Sequence, residues 1–281
     1  MKKIISTFII VFMAVVISLP QKVQAVDYNI GLYSYYAWWN PAWRSVYTDF
    51  ESDPMLLCGP FFSVRFFKKL GFSALFITTF FNMPDASYTI EGTGSMGPYS
   101  GELETVISRH DFDLTASYKF TESLTGFIGY KNFKYDEGGG GGDCSEADLT
   151  MSSPYFTEGD PKRTQAEEAA GAIGGSYTIS LADAFFLTVG TSFLYGSFEM
   201  DFPNYKEVSS GVIQCNDVVV YKYKNFGNNT TLNLSYFFSA INTSLSIGGR
   251  FQVLKYMAED DAPSLENDYF YGVTLSAVLH I

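Results

Sequence analysis

The chain has 281 residues, of which 47% are hydrophobic, 17% aromatic and only 17% charged, where an ordinary soluble domain has about 25% charged. With 26 Phe, 20 Tyr and 3 Trp to bury, it is neither disordered nor collagen-like nor a coiled coil. A net charge of -12 argues against a nucleic-acid partner, and three cysteines are too few for a disulfide scaffold. The mean hydropathy of +0.04 is unexpectedly low for so many aromatics.

Lys2 and Lys3 precede an apolar stretch, Ile4 to Leu19, and Val23, Gln24 and Ala25 supply a small-residue cleavage pattern. These are the parts of a secretory signal peptide, residues 1–25, with cleavage predicted after Ala25. The stretch is shorter than the roughly 20 residues of a spanning helix, and no cysteine follows the cut to carry a lipid. Removal takes away three lysines and no acid, leaving 15 basic against 30 acidic residues in a single domain, 26–281.

Strand signals dominate that domain. From Asp111 to Phe120, Phe112, Leu114, Ala116, Tyr118 and Phe120 alternate with Asp111, Asp113, Thr115, Ser117 and Lys119, a period of two that fits a half-buried strand and no helix. The chain-order reading places strands near 28–39, 61–69, 72–82, 111–120, 124–135, 168–180, 185–195, 229–238, 243–253 and 269–281. Four connections are tight: Lys68 to Gly71, Thr121 to Leu124, Leu181 to Ala184 and Ser239 to Asn242. They alternate strictly with five long ones, 40–60, 83–108, 136–167, 199–223 and 255–267, which hold all the mature prolines and most of the acids. Proline cannot donate to a ladder, so its placement supports the boundaries independently of hydrophobicity.

Periodicity alone leaves open whether the apolar face lines a soluble core or meets lipid. The polar faces carry mostly Ser, Thr, Asn and Gly rather than Lys and Glu, unlike a water-facing strand surface. Aromatics crowd the strand ends, with Tyr33, Tyr35, Trp38, Trp39 and Trp43 at one and Tyr130, Tyr135 and Tyr195 at others, as in the girdles of membrane barrels. Strands cross a bilayer only as a closed barrel, because every backbone polar group must be paired.

The expectation is therefore an all-β, closed, antiparallel, up-and-down transmembrane barrel of about ten strands; a hairpin near Val218 to Tyr223 would extend strands past the membrane or raise the count to twelve. In this the mature chain resembles the bacterial outer-membrane β-barrel superfamily. The most specific element is the last strand, where Tyr269, Tyr271, Val273, Leu275, Leu279 and Ile281 keep the alternation of that family's assembly signal but end in Ile rather than Phe. The resemblance implies the barrel-assembly machinery, outer-membrane lipid and lipopolysaccharide as partners. It also implies a periplasmic turn side and an extracellular face of five acidic loops, whose partner is unknown.

Chemistry-bearing residues are sparse. Arg65, Asp111, Asp113, Lys119, Lys131 and Arg250 fall on lumen positions, and their mixed signs argue against a strongly ion-selective pore. The omptins, outer-membrane proteases of ten strands, carry Asp and His at the extracellular rim, and His110 with Asp111 and Asp113 resembles half of such a site. His280 has only Ser276 on its own strand face, roughly 13 Å away, too far for a proton relay. Gly138 to Gly142 reads as a loop tip, Glu259, Asp260 and Asp261 as a solvated acidic surface, and the sequons at Asn228, Asn229 and Asn242 as chance. Cys58, Cys144 and Cys215 fall in different long loops, where two of them would form a disulfide. No motif calls for a cofactor or metal. The functional expectation is a non-enzymatic barrel with a structural or surface-loop interaction role; a narrow porin-like channel is the alternative, and an omptin-like protease the third.

Overall fold

A computed structural model describes residues 26–42, 48–80, 85–94, 97–137, 165–209, 212–259 and 262–281. Residues 1–25, read from sequence as a signal peptide, and Trp43 and Cys144 lie outside the described residues. The strands are β1 (Val26–Asn40), β2 (Thr48–Ser52), β3 (Met55–Phe66), β4 (Leu70–Thr79), β5 (Asp85–Gly94), β6 (Gly97–Lys119), β7 (Leu124–Glu137), β8 (Gln165–Ala182), β9 (Phe185–Ser209), β10 (Val212–Phe238), β11 (Thr243–Ala258) and β12 (Asp268–His280). All but β2 and β5 form a closed ten-strand antiparallel barrel, in which β1 pairs with β12 and β6 with β7.

Directly paired residues can be followed once round the wall, from Tyr28 through Val64, Phe72, Ala116, Ile128, Ile173, Phe193, Asn228, Val253 and Tyr269. The circuit returns to β1 at Asn40, twelve residues beyond its start. Ten strands with that shear tilt by about 40°. The outward row is apolar except at Asn228 and at the closing Asn40.

Outward residues make a largely apolar belt, with Ser34, Thr191 and Thr230 among its few polar members. On β1 it runs from Tyr28 to Trp38 through Ile30, Leu32 and Tyr36, all exposed, a height of roughly 25 Å at that tilt, which is that of a hydrocarbon band. Ile128 and Ile173 are each 62% exposed, the wrong arrangement for water. On the belt's hairpin side Trp38 stacks on Tyr271 (6.1 Å) and meets Tyr36 edge-on (5.1 Å); Tyr195 is also exposed there. Tyr28, Tyr118, Phe120 and Tyr177 form the opposite rim.

Four details differ from the sequence reading. First, the aromatics taken as one girdle divide by strand parity. Trp38 and Tyr195 face outward and Tyr130 is half-buried on the same face, whereas Tyr35, Trp39 and Tyr135 are buried inside with Tyr33 packed against them. Adjacent residues of a strand cannot share a face, so Trp38 and Trp39 had to separate.

Second, several long connections are strands. Residues 85–94 and 97–106 form ten pairs between β5 and the outer half of β6, β2 adds to the edge of β5, and β9 and β10 stay paired out to Ser209 and Val212.

Third, β3 starts at Met55, so Pro60 lies within the wall. It faces outward where the β3–β4 ladder is interrupted between Cys58 and Phe61, a position that needs no N–H. Fourth, Cys58 is on this strand, not in a loop. It lies in the belt, opposite Ser34, whose Oγ is 3.5 Å from its Sγ.

Short turns close the other end. At Phe67–Lys68 both residues have positive φ (51° and 58°), and Lys69 N donates to Phe66 O at 3.1 Å, the pattern of a type I′ hairpin turn. Lys119 pairs with Glu122 across the next turn at 2.6 Å, and this hydrogen bond holds the Glu122 carboxyl below its usual range.

Candidate functional site: a filled lumen and its mouth

The inward faces change character along the axis. Toward the turns they carry small polar residues: Asn29, Ser63, Ser73, Ser117, Thr178, Thr188, Ser235, Ser244 and Ser246, all half-buried. Toward the hairpins the interior is packed solid. Tyr35, Trp39, Met55, Leu57, Ile77, Phe133, Leu194, Phe198, Met200, Leu254, Tyr256 and Phe270 form one buried cluster. A barrel of this width is closed by side chains of that size.

Charged groups are embedded in the packing. Arg109, wholly buried, grips Asp111 with Nε at 2.6 Å and Nη2 at 3.2 Å, and Nη1 donates to the Tyr135 hydroxyl. Its guanidinium also lies 3.8, 4.5 and 4.9 Å from the ring centroids of Phe270, Phe133 and Tyr135. The weakly hydrated, planar guanidinium suits such a site, since its faces stack while its edge satisfies a carboxylate. Trp39 stacks on Tyr135 at 4.2 Å and donates Nε1 to Asp268 Oδ2 at 2.9 Å. Tyr256 donates its hydroxyl to Glu168 Oε2 at 3.0 Å. The pairing registers set Arg109, Trp39, Glu168 and Asp268 within about 3 Å of one level.

One step toward the turns, Lys131 pairs with Asp113 at 2.6 Å. Arg250 donates to Asn229 Oδ1 at 2.9 Å and Gln252 Oε1 at 3.1 Å. Buried charges this well paired hold a cross-section rigid, and truncating one partner leaves the other stranded. Glu168 Oε1 and both polar atoms of Asn225 have no protein partner, the kind of group that retains buried water.

Of the six lumen charges expected from sequence, Asp111, Asp113, Lys131 and Arg250 gather in this interior, while Arg65 and Lys119 sit near the turn end. Glu168, Asp268 and Arg109 join the layer without having been singled out. In the sequence reading Glu168 opens a strand and Asp268 immediately precedes one, yet parity sets Glu168 with Ala170 and Asp268 with Phe270. Tyr269, Tyr271, Val273, Leu275 and Leu279 all lie on the outer face of β12, with Ile281 just beyond it. Cys215 is within β10, opposite Tyr205.

The histidines part ways. His110 faces outward, its Nδ1 2.7 Å from Thr78 Oγ1, whereas Asp111 faces inward, so the two cannot form an Asp–His pair. His280 lies at the turn-end mouth of the lumen. Its Nε2 is 2.7 Å from Ser244 Oγ and its Nδ1 2.7 Å from Asn29 Oδ1. The serine it meets comes from β11, not from Ser276 on its own strand, so spacing along β12 could not reveal it. A cavity of about 350 Å³ opens beside it, lined by Asp27, Asn29, Arg65, Asn242, His280 and Ile281. Among the described residues no three His, Cys, Asp or Glu side chains form a metal-binding group.

Among solved structures the fold is similar to that of the outer membrane protease OmpT from Escherichia coli, with a TM-score of 0.50 and 11% identity over 94% of this chain and 99% of that one. A second similarity is to the toluene transporter TodX of Pseudomonas putida, with a TM-score of 0.27 and 9% identity over 94% and 93% of the two chains. No family model and no curated protein matches the sequence.

Proposed function

We propose that this is an integral protein of the bacterial outer membrane, exported by its N-terminal segment, whose barrel is closed to solutes and whose projecting hairpins carry its contacts with partners. The observation that carries the reading is the filled cross-section around Arg109, Trp39, Tyr135 and Phe270, since a lumen packed this way has no aqueous path. The apolar belt of roughly bilayer height supports insertion. In this reading the turns face the periplasm, as is usual for such barrels, and the hairpins of β5–β6 and β9–β10 stand outside. Their partner is a macromolecule at the cell surface or lipopolysaccharide. Strand-paired hairpins present fixed backbone edges, a better docking surface than open loops.

Heat-modifiability on gels of outer-membrane fractions, with conductance of the purified barrel in planar bilayers, tests this. A heat-dependent mobility shift with no discrete conductance steps is expected. A chain in the soluble fraction refutes membrane insertion, and discrete steps from the wild type refute closure.

A further inference from the structure

The turn-end mouth holds a hydrogen-bonded relay that the closed-barrel reading does not use. Ser63 Oγ, on β3, accepts from Asn29 Nδ2 on β1 at 2.8 Å. With its amino group engaged there, Asn29 turns Oδ1 toward His280 on β12, 2.7 Å from Nδ1. A carbonyl oxygen can only accept, so Nδ1 carries the ring proton and Nε2 keeps its lone pair. That lone pair faces the hydroxyl of Ser244, on β11, at 2.7 Å. Phe237, directly opposite Ser244, packs edge-on against the imidazole at 5.6 Å and holds the ring in place. Nucleophile, base and orienting acceptor thus stand at the mutual distances that acyl-transfer enzymes use.

Two cavities adjoin the relay. The larger, about 350 Å³, is lined by His280, Asn29 and Arg65. A smaller one, about 150 Å³, shares Arg65 and is lined on its inward side by Phe61, Ser63, Ser73 and Ser117. One offers room beside the imidazole, with Arg65 and Asp27 paired on its wall; the other is small and admits only a short chain.

We infer that Ser244, His280 and Asn29 form an acyl-transfer site that hydrolyses short-chain carboxylic esters entering from the turn end. Ser244 Oγ adds to the ester carbonyl carbon as its proton passes to His280 Nε2. The intermediate collapses with cleavage of the bond to the alcohol oxygen, which takes the proton from Nε2 and leaves. Water then attacks the acyl-serine, giving a proton to Nε2; the ester bond to Oγ breaks, Oγ recovers that proton, and the carboxylic acid departs. Ser244 and His280 are the catalytic residues; Asn29 and Ser63 position them.

The test uses the full-length barrel folded in detergent micelles, with p-nitrophenyl butyrate as substrate and an alkyl fluorophosphonate as probe. The expected result is hydrolysis together with stoichiometric labelling that peptide mapping places on Ser244. Ser244→Ala abolishes labelling and lowers the rate at least 100-fold, while Ser246→Ala, an inward serine bonded to Ser235 instead, leaves both unchanged. Asn29→Ala lowers kcat more than it changes KM, and Asn29→Asp restores activity with a shifted pH profile, a change that mere loss of packing does not produce. Heat-modifiability of each variant certifies the barrel. A folded wild type that is neither labelled nor active, or labelling and hydrolysis that persist in Ser244→Ala, overturns the assignment.

Discussion

Arg109→Met is the sharpest probe of the closing layer. Met roughly matches the aliphatic stem of Arg, so the substitution removes charge and hydrogen bonds more than volume. It deletes the two-point contact with Asp111 (2.6 and 3.2 Å) and the contacts with three rings, leaving a carboxylate that is 1% exposed without its main partner. Stranding one member of a buried ion pair costs about 3–5 kcal/mol, and a desolvated cation–π contact about 2 kcal/mol. These terms overlap, so a net loss of about 4 kcal/mol is expected. Urea unfolding of the barrel in lipid vesicles, followed by tryptophan fluorescence, reads it directly, because Trp39 is stacked within the same layer. Adding Asp111→Leu should bring stability back to within about 1 kcal/mol of wild type, since a buried pair is replaced by apolar packing. A loss below 1 kcal/mol in the single variant, or no recovery in the double, would refute the view that paired charges hold this cross-section.

Three further outcomes follow from the wall. Ile128→Arg, outward in the mid-belt, should cost about 2–4 kcal/mol in vesicles, whereas Lys255→Glu at the hairpin side should cost at most about 1 kcal/mol; equal effects would displace the belt. Lys68→Gly relieves a left-handed residue in the first tight turn (φ 58°) and should raise stability by about 0.5–1 kcal/mol in the same assay; a loss would show that the lysine side chain matters more than its backbone. Cys58, on the outer face beside Ser34, should react in vesicles with a membrane-permeant maleimide but not with a charged thiol reagent; efficient labelling by the charged reagent would place it in water.

What was legible in the sequence follows from which forces are local. Strand parity, the confinement of most prolines to connections and the alternation of tight with long ones sufficed for ten strands and a closed barrel, because each depends on residues close together in the chain. Pro60 misled the start of β3, since its missing N–H coincides with a gap in the β3–β4 ladder that no single-strand pattern records. Tyr33, Tyr35, Trp39 and Tyr135 were grouped with the girdle by composition, although parity already set them opposite Trp38. The packed interior was hidden for another reason. A lumen of Ser, Thr and Gly describes the turn half correctly, but the hairpin half depends on the inward parity of Glu168, the first residue of the strand read at 168–180, and on Asp268, one residue before the strand read at 269–281.

The mouth relay shows the same limit more sharply. Asn29 lies near the beginning of the barrel, Ser244 and His280 near its end, and β1 meets β12 only when the barrel closes. The register Asn29↔His280 is fixed by twelve consecutive pairs along that seam, and Asn29↔Ser63 by the pairing on the other side of β1. No interval in the sequence encodes the distances between these side chains; shear and closure do. A one-residue slip at the seam would turn His280 outward, because side-chain direction alternates with period two. The relay therefore exists only in the correctly closed barrel. Hydrolysis, if it belongs to Ser244, should be lost in step with the heat-induced mobility shift rather than before it. Loss of activity at temperatures where the barrel remains fully closed would separate the chemistry from the seam.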